Sequence, residues 1–291
     1  MVDAADLKSQ PAHPAHSNSL DLDNTLLIER FIASRRDCLS PKTIHKCYRL
    51  YLNRSREVVG LKVTGQDIQR FISSRKCSNG GKHAYFRVLR TFYNWLYSPK
   101  SSLRLNMQKN PMLAIEAPKV EKKILPSLTN EQIELLIDKA ECTRDKAIIS
   151  LFADSGLCLS ELISIDQNNI DWQNRLIKVK CKGNKEGYAP FGERTESLLQ
   201  EWLSQYKANG RLWDFNLHAL VWMLRKLENQ TGLRCNPHTF RRTFASILAK
   251  RGVDSLHIMR LGRWESMAMV ERYTRSVKFD DSLRFYKATL S

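Results

Sequence analysis

Apolar residues in the first third of the chain recur three and four positions apart. After Asp23-Asn24, the residues Leu26, Leu27, Ile28, Phe31 and Ile32 have the spacing of an amphipathic helix. Ser40-Pro41 opens a second helix, with serine as N-cap and proline at the first helical position, and Ile44, Tyr48, Tyr51 and Leu52 form its apolar face. Thr64, ahead of Gln66-Asp67, caps a third through Ile68, Phe71 and Ile72. The strongest pattern runs from Lys82 to Leu96, where Phe86, Leu89, Tyr93 and Leu96 fall on one face. That spacing makes these aromatics core residues and leaves Arg87 and Arg90 outward. No alternating pattern interrupts the four segments, so the N-terminal part reads as a small helical bundle.

Asn110-Pro111 and the stretch Ala117-Pro118-Lys119-Val120-Glu121-Lys122-Lys123-Ile124-Leu125-Pro126 break helical continuity and read as a linker. Thr129 with Gln132 is a capping box, which opens a helix through Ile133, Leu136 and Ile137. A helix over residues 146–153 leads into Ser155-Gly156. Beyond it, residues 169–180 predict two short strands around a turn, Gly183-Asn184 predicts a second turn, and Tyr188-Ala189-Pro190-Phe191 predicts the returning strand. Helical spacing resumes from Thr195. The fold class expected is mainly α with a small antiparallel β-sheet, organised as a tail (residues 1–20), a helical domain (21–107), a linker (108–126) and a C-terminal domain (127–291).

Charge changes the picture from architecture to partner. The net charge is +17, and residues 24–109 hold 18 Lys and Arg against Glu29, Asp37, Glu57 and Asp67, a net of +14. Residues 124–291 carry a net of only +5, from 25 basic and 20 acidic residues. A polyanion is the expected partner, gripped mainly by the N-terminal half. The seven cysteines never form Cys-x-x-Cys, which points to reduced thiols, no metal site and a cytoplasmic setting. Residues 1–19 are polar and read as a disordered tail without the apolar stretch of a signal peptide. No apolar run approaches the length needed to span a membrane.

The chemistry gathers near the C-terminus. His238 and Arg241 stand three apart in His238-Thr239-Phe240-Arg241 and so share a helix face. Trp264 follows, and then Tyr273 in Glu271-Arg272-Tyr273-Thr274. Tyrosine is a weak nucleophile near neutral pH, with a pKa of about 10. A tyrosine used for attack therefore needs cations around its target, and a phosphodiester is the substrate that suits both.

His-x-x-Arg, a Gly-Trp-type box and a tyrosine nine residues after Trp264 resemble the tyrosine recombinase (phage integrase) family. Leu39-Ser40-Pro41-Lys42-Thr43, Lys109-Asn110-Pro111 and Leu125-Pro126-Ser127-Leu128-Thr129 agree with that family's landmarks, and the flavour is that of mobile-element integrases. The resemblance implies a helical core-binding (SAM-like) domain followed by a catalytic domain. It implies site-specific DNA recombination or integration through a 3′-phosphotyrosine intermediate, without metal or cofactor. Tyr273 would be the nucleophile, Arg241 the bidentate phosphate ligand, and His238 a hydrogen-bond partner or proton relay. Trp264 would stand in the place commonly held by histidine, and Lys182 at the hairpin tip would protonate the departing 5′-oxygen. Lys42, Lys82, Arg87, Arg90 and Arg242 are candidates for DNA contact. Double-stranded DNA is the implied partner, with a dimer on each site and a tetrameric synapse, and the tail with Phe279, Leu283 and Phe285 packing on a neighbouring subunit.

The resemblance has one serious defect, beside smaller departures at Cys181, Gly187 and the extra residue in Gly262-Arg263-Trp264. Cys158, in Gly156-Leu157-Cys158-Leu159-Ser160-Glu161-Leu162, stands where the first catalytic arginine belongs. A thiol cannot form the two parallel hydrogen bonds of a guanidinium, so impaired activity is the expectation. A decayed element, a deliberate inactivation and a rearrangement in which Arg263 substitutes are the explanations. The alternative function is a non-catalytic DNA-binding accessory or repressor protein of a mobile element.

Overall fold

Capping chemistry sets the helix starts of the N-terminal unit. Asp23 accepts from Thr25 N ahead of α1 (Asn24–Ala33). Ser40 caps α2 (Pro41–Thr43), which continues through the π-wound turn Ile44–Arg49 into α3 (Leu50–Arg54). Thr64 and Asp67 form a reciprocal capping box at the head of α4 (Gly65–Ser74). Ser78 caps α5 (Asn79–Leu96), three residues before the sequence pattern begins, because Asn79-Gly80-Gly81 offers no apolar position to read. The computed structural model describes residues 23–121, 124–181, 183, 185–206 and 210–286. The chain divides into two compact units, the first ending at Lys122 and the second starting at Lys123. The expected polar tail, Lys182 and Asn184 lie outside the described residues.

Leu27, Phe31, Leu52, Ile68, Phe71, Leu89, Phe92 and Tyr93 build the core of the first unit. The Tyr93 hydroxyl is sealed inside and donates to Val58 O at 2.9 Å. Phe86, Leu89, Tyr93 and Leu96 are all buried, whereas Arg87 and Arg90 on the opposite face of α5 are exposed, as is Lys42. Lys82 is half-buried and its ammonium donates to Ser73 O at 2.8 Å.

The second unit opens with the Thr129–Gln132 capping box on α6 (Asn130–Lys139). α7 (Thr143–Ser155) follows, buried along most of its length, then α8 (Leu159–Ile163). Three strands, β1 (Ile170–Asp171), β2 (Leu176–Lys180) and β3 (Glu186–Pro190), make one antiparallel sheet in the order β1-β2-β3. Ile177 pairs with Ala189 and Val179 with Gly187. β3 therefore begins at Glu186, earlier than Tyr188, because its pairing with Lys180 lies across the turn. α9 (Glu193–Gln205), α10 (Leu217–Thr231), α11 (Pro237–Lys250), α12 (Ser255–Leu261), α13 (Met267–Thr274) and α14 (Phe279–Leu283) complete the chain. The chain is thus mainly helical with one small antiparallel sheet, and no helix among the described residues is long and apolar enough to cross a membrane.

Two cores organise this unit. The larger joins α6, α7, α9 and α10 with the sheet, and includes Phe152 stacked on Phe240 at 5.4 Å between ring centroids. The smaller is built from Phe244, Ala245, Ile258, Trp264, Val270 and Tyr273, on α11 to α13 and the turn between α12 and α13. Two of the residues singled out for chemistry are therefore packing residues of the smaller core.

Candidate active site

Gly156 shapes the first wall of the site. It ends α7 in the left-handed region at φ 55°, and a Cβ there would sit 2.7 Å from Phe244 Cδ1. Only glycine fits both demands. Its carbonyl accepts from Arg241 Nη1 at 2.7 Å, while Gly262 O accepts from Arg241 Nη2 at 3.0 Å. Arg241 projects from α11 with a buried side chain, so these two backbone oxygens fix the plane of its guanidinium.

Cys158 begins α8. Its backbone N–H donates to Glu161 Oε2 at 2.8 Å, and its Sγ receives the Glu161 N–H at 3.5 Å and lies 3.2 Å from Ser160 Oγ. The thiol thus serves as the cap of its own helix. Trp213 Nε1 donates to Leu162 O at 2.8 Å and anchors α8 to the main core. Glu161 is 5% exposed, and its Oε2 lies 3.6 Å from both Arg241 Nη1 and Arg263 Nη2. Two guanidiniums converge on one buried carboxylate oxygen.

Cys158, Glu161, Cys181, Arg241, Arg263 and Trp264 line one open cleft. Trp264 lies beside Arg241, whose guanidinium carbon is 5.2 Å from the indole centroid, and its Nε1–H is buried without a partner. On the same ring packs Tyr273, with centroids 5.0 Å apart and planes tilted by 38°. Tyr273 is buried and is not itself in the cleft wall. Ser246 Oγ donates to Tyr273 O at 3.3 Å and fixes the end of α13 to α11.

His238 sits in the first turn of α11 and is exposed. Partial enclosure by the protein lowers its pKa, and the positive charges of Arg241, Arg242 and Arg272 lower it further. Arg242 Nε donates to Pro126 O at 3.3 Å and its Nη2 to Thr239 Oγ1 at 3.0 Å, so part of its fork is engaged within the fold. Burial pushes its pKa below the usual guanidinium range, with Tyr273 opposing that shift. At the hairpin, Lys185 pairs with Glu265 at 3.1 Å and Lys180 is exposed.

The structure therefore gathers Arg241, Trp264 and Tyr273 in one packed row, with Cys158 lining the same cleft as Arg241 and Trp264, and His238 three residues ahead of Arg241 on α11. Motif spacing offers Arg263 only as one explanation for Cys158 and gives no role to Arg272, whose positive charge contributes to lowering the His238 pKa. Two buried cations against one carboxylate leave the cleft with net positive charge, suited to an anion.

A sequence model described as the Phage integrase family matches residues 126–278, more than half of the chain. The chain belongs to the phage integrase family. Among its relatives in this family are the tyrosine recombinase XerA of Saccharolobus solfataricus and a tyrosine recombinase XerC of Staphylococcus epidermidis. XerA is 28% identical over 246 residues, covering 79% of this chain and 80% of the relative. XerC is 30% identical over 205 residues, covering 64% and 68%. The phage integrase fold extends beyond the matched segment. A XerH site-specific recombinase bound to a palindromic difH substrate superposes with a TM-score of 0.68 at 20% identity, over 90% of this chain and 83% of that one. The Tn1549 transposon integrase in complex with circular intermediate DNA gives 0.67 at 15% identity, over 91% and 99%.

Proposed function

We propose that this phage integrase family member cuts and rejoins duplex DNA at a specific site through Tyr273. The Tyr273 oxygen attacks the scissile phosphorus, the P–O5′ bond breaks, and a 3′-phosphotyrosyl bond and a free 5′-hydroxyl result. The tyrosine proton passes to His238, whose pKa is lowered first by partial burial and then by the charges of three arginines, which favours the neutral form able to accept. Lys182 gives a proton to the departing 5′-oxygen. A partner strand's 5′-hydroxyl then reverses the same steps, so phosphodiester energy is retained and no hydrolysis is needed. Arg241 holds the phosphate oxygens, assisted by the indole N–H of Trp264. Lys42, Arg87 and Arg90, exposed on the N-terminal unit, grip the duplex backbone together with Lys82, while Arg242 supports the cleft. Two protomers occupy one site and four form the synapse.

The observation that carries this reading is the row Arg241–Trp264–Tyr273, three residues from separate elements with 5.2 Å and 5.0 Å between successive groups. The test is recombination between two duplexes bearing the protein's own element ends. Wild type should exchange strands, and Tyr273→Phe should bind both duplexes without exchange. Cys158 favours a second reading, in which the protein occupies such sites as an accessory factor. Equal occupancy by wild type and Tyr273→Phe with no exchange by either would select it.

A further inference from the structure

Arg263 adopts a conformation that arginine rarely takes. Its φ is +56°, in the left-handed region that favours glycine. That turn sends the side chain inward between three segments. Nη1 donates to Leu261 O at 2.8 Å and to Tyr188 O at 3.2 Å, and Nη2 donates to Ser155 O at 3.0 Å. The guanidinium faces Glu161 Oε2 at 3.6 Å, the side chain is 6% exposed, and its Nε–H is buried without a partner. Burial holds its pKa below the usual guanidinium range while Glu161 opposes that shift, and an arginine still keeps its proton. The stem lies against Gly187, where a Cβ would come within 3.1 Å of Arg263 Cδ and 2.9 Å of Cys181 Sγ. A side chain at 187 would occupy the path of this arginine.

The charge count gives this placement a purpose. Cys158 contributes no cation and its thiol is used as a helix cap. Within the buried trio at the floor of the cleft, Arg241 alone against Glu161 would sum to zero charge, whereas Arg263 makes that sum one positive charge. We propose that Arg263 is a positioning residue that replaces the guanidinium missing at Cys158. It neutralises Glu161, so that the charge of Arg241 remains for the scissile phosphate. It also ties together the end of α7, strand β3 and the turn before Trp264. This inference rests on the phosphate chemistry assigned to the cleft above.

The test compares wild type, Arg263→Gly and Arg263→Gly/Cys158→Arg in single-turnover cleavage of a nicked suicide duplex. Glycine suits the positive φ, so the backbone turn survives the substitution. Arg263→Gly should cleave about 10²–10³-fold more slowly, the scale of losing one preorganised donor to a developing charge. Adding Cys158→Arg should recover at least about tenfold of that loss, while Cys158→Arg in the natural background should add little. A duplex with a neutral methylphosphonate at the scissile position separates charge from scaffolding, since a cation matters less to an uncharged phosphorus. On it the deficit of Arg263→Gly should shrink to less than about tenfold.

A second measurement needs no cleavage. In a Tyr273→Phe background the protein should bind the phosphate duplex more tightly than the methylphosphonate duplex, and Arg263→Gly should remove that preference. An unchanged preference would overturn the proposal even if the wild type proved unable to cut. So would cleavage by Arg263→Gly at the wild-type rate, or an equal deficit on both substrates with no recovery from Cys158→Arg. Absence of wild-type cleavage with the preference lost on Arg263→Gly would instead refute the Tyr273 reaction and uphold the role of Arg263.

Discussion

Glu161→Gln removes one negative charge and little else. Glutamine keeps an oxygen able to accept the Cys158 N–H now bonded at 2.8 Å, so the cap of α8 is retained. What disappears is the carboxylate lying 3.6 Å from two buried guanidiniums. At an effective dielectric of about 20, each of those attractions is worth roughly 5 kcal/mol before desolvation is subtracted. Removing one partner of a buried ion pair leaves the other charge uncompensated and costs about 3–5 kcal/mol. For a unit of this size, each kcal/mol corresponds to a shift of about 2–4 °C in Tm, so the variant should melt roughly 6–20 °C lower. Tryptophan fluorescence is a suitable probe, because of the six tryptophans only Trp95 lies in the N-terminal unit. Adding Arg263→Gly to Glu161→Gln should restore part of the loss, with a coupling of about 1 kcal/mol or more. A shift below about 2 °C, or strict additivity of the two substitutions, would refute the idea that Glu161 balances both arginines.

Further outcomes follow from the same surfaces. DNA affinity should fall steeply with salt, and Arg87→Ala/Arg90→Ala should reduce the slope of log K against log salt by about two; an unchanged slope would remove these residues from the interface. The lowered pKa of His238 means that nothing is lost above its unfolded value of about 6.5. As pH falls below that value the unfolded chain takes up the proton first, and stability declines. His238→Gln should flatten that decline between about pH 7 and 5 in urea midpoints, relative to wild type. A wild-type curve no steeper than the variant's would contradict the assigned surroundings of His238.

Local chemistry was legible in the sequence wherever a few neighbouring residues decide the conformation. Ser40-Pro41, Thr64 with Asp67 and Thr129 with Gln132 each cap the helix they announce, since a cap depends only on the next turn. The buried face of α5 follows from its spacing for the same reason. The pairing of Glu186 with Lys180 depends on a cross-strand partner, so β3 starts earlier than its own apolar pattern indicates. At the site, motif spacing picked out Arg241, Trp264 and Tyr273, which the fold packs in one row. It gave no sign that the Cys158 thiol would cap a helix, or that Arg263 would turn through a positive φ to reach Glu161. That contact joins residues far apart in the chain, and it needs Gly187 to leave space on a third segment. Such a compensation is a property of packing, and no periodicity encodes it.

The central claim is that Tyr273 becomes covalently joined to DNA. The most direct test incubates the full chain with a nicked suicide duplex carrying its own element's end, then digests the adduct and locates the modified peptide. The expected result is one adduct on Tyr273 with the phosphate on the 3′ side of the break, a free 5′-hydroxyl on the other strand end, and no adduct from Tyr273→Phe. An adduct persisting in Tyr273→Phe, one mapped to Tyr286, or one with 5′ polarity would contradict it.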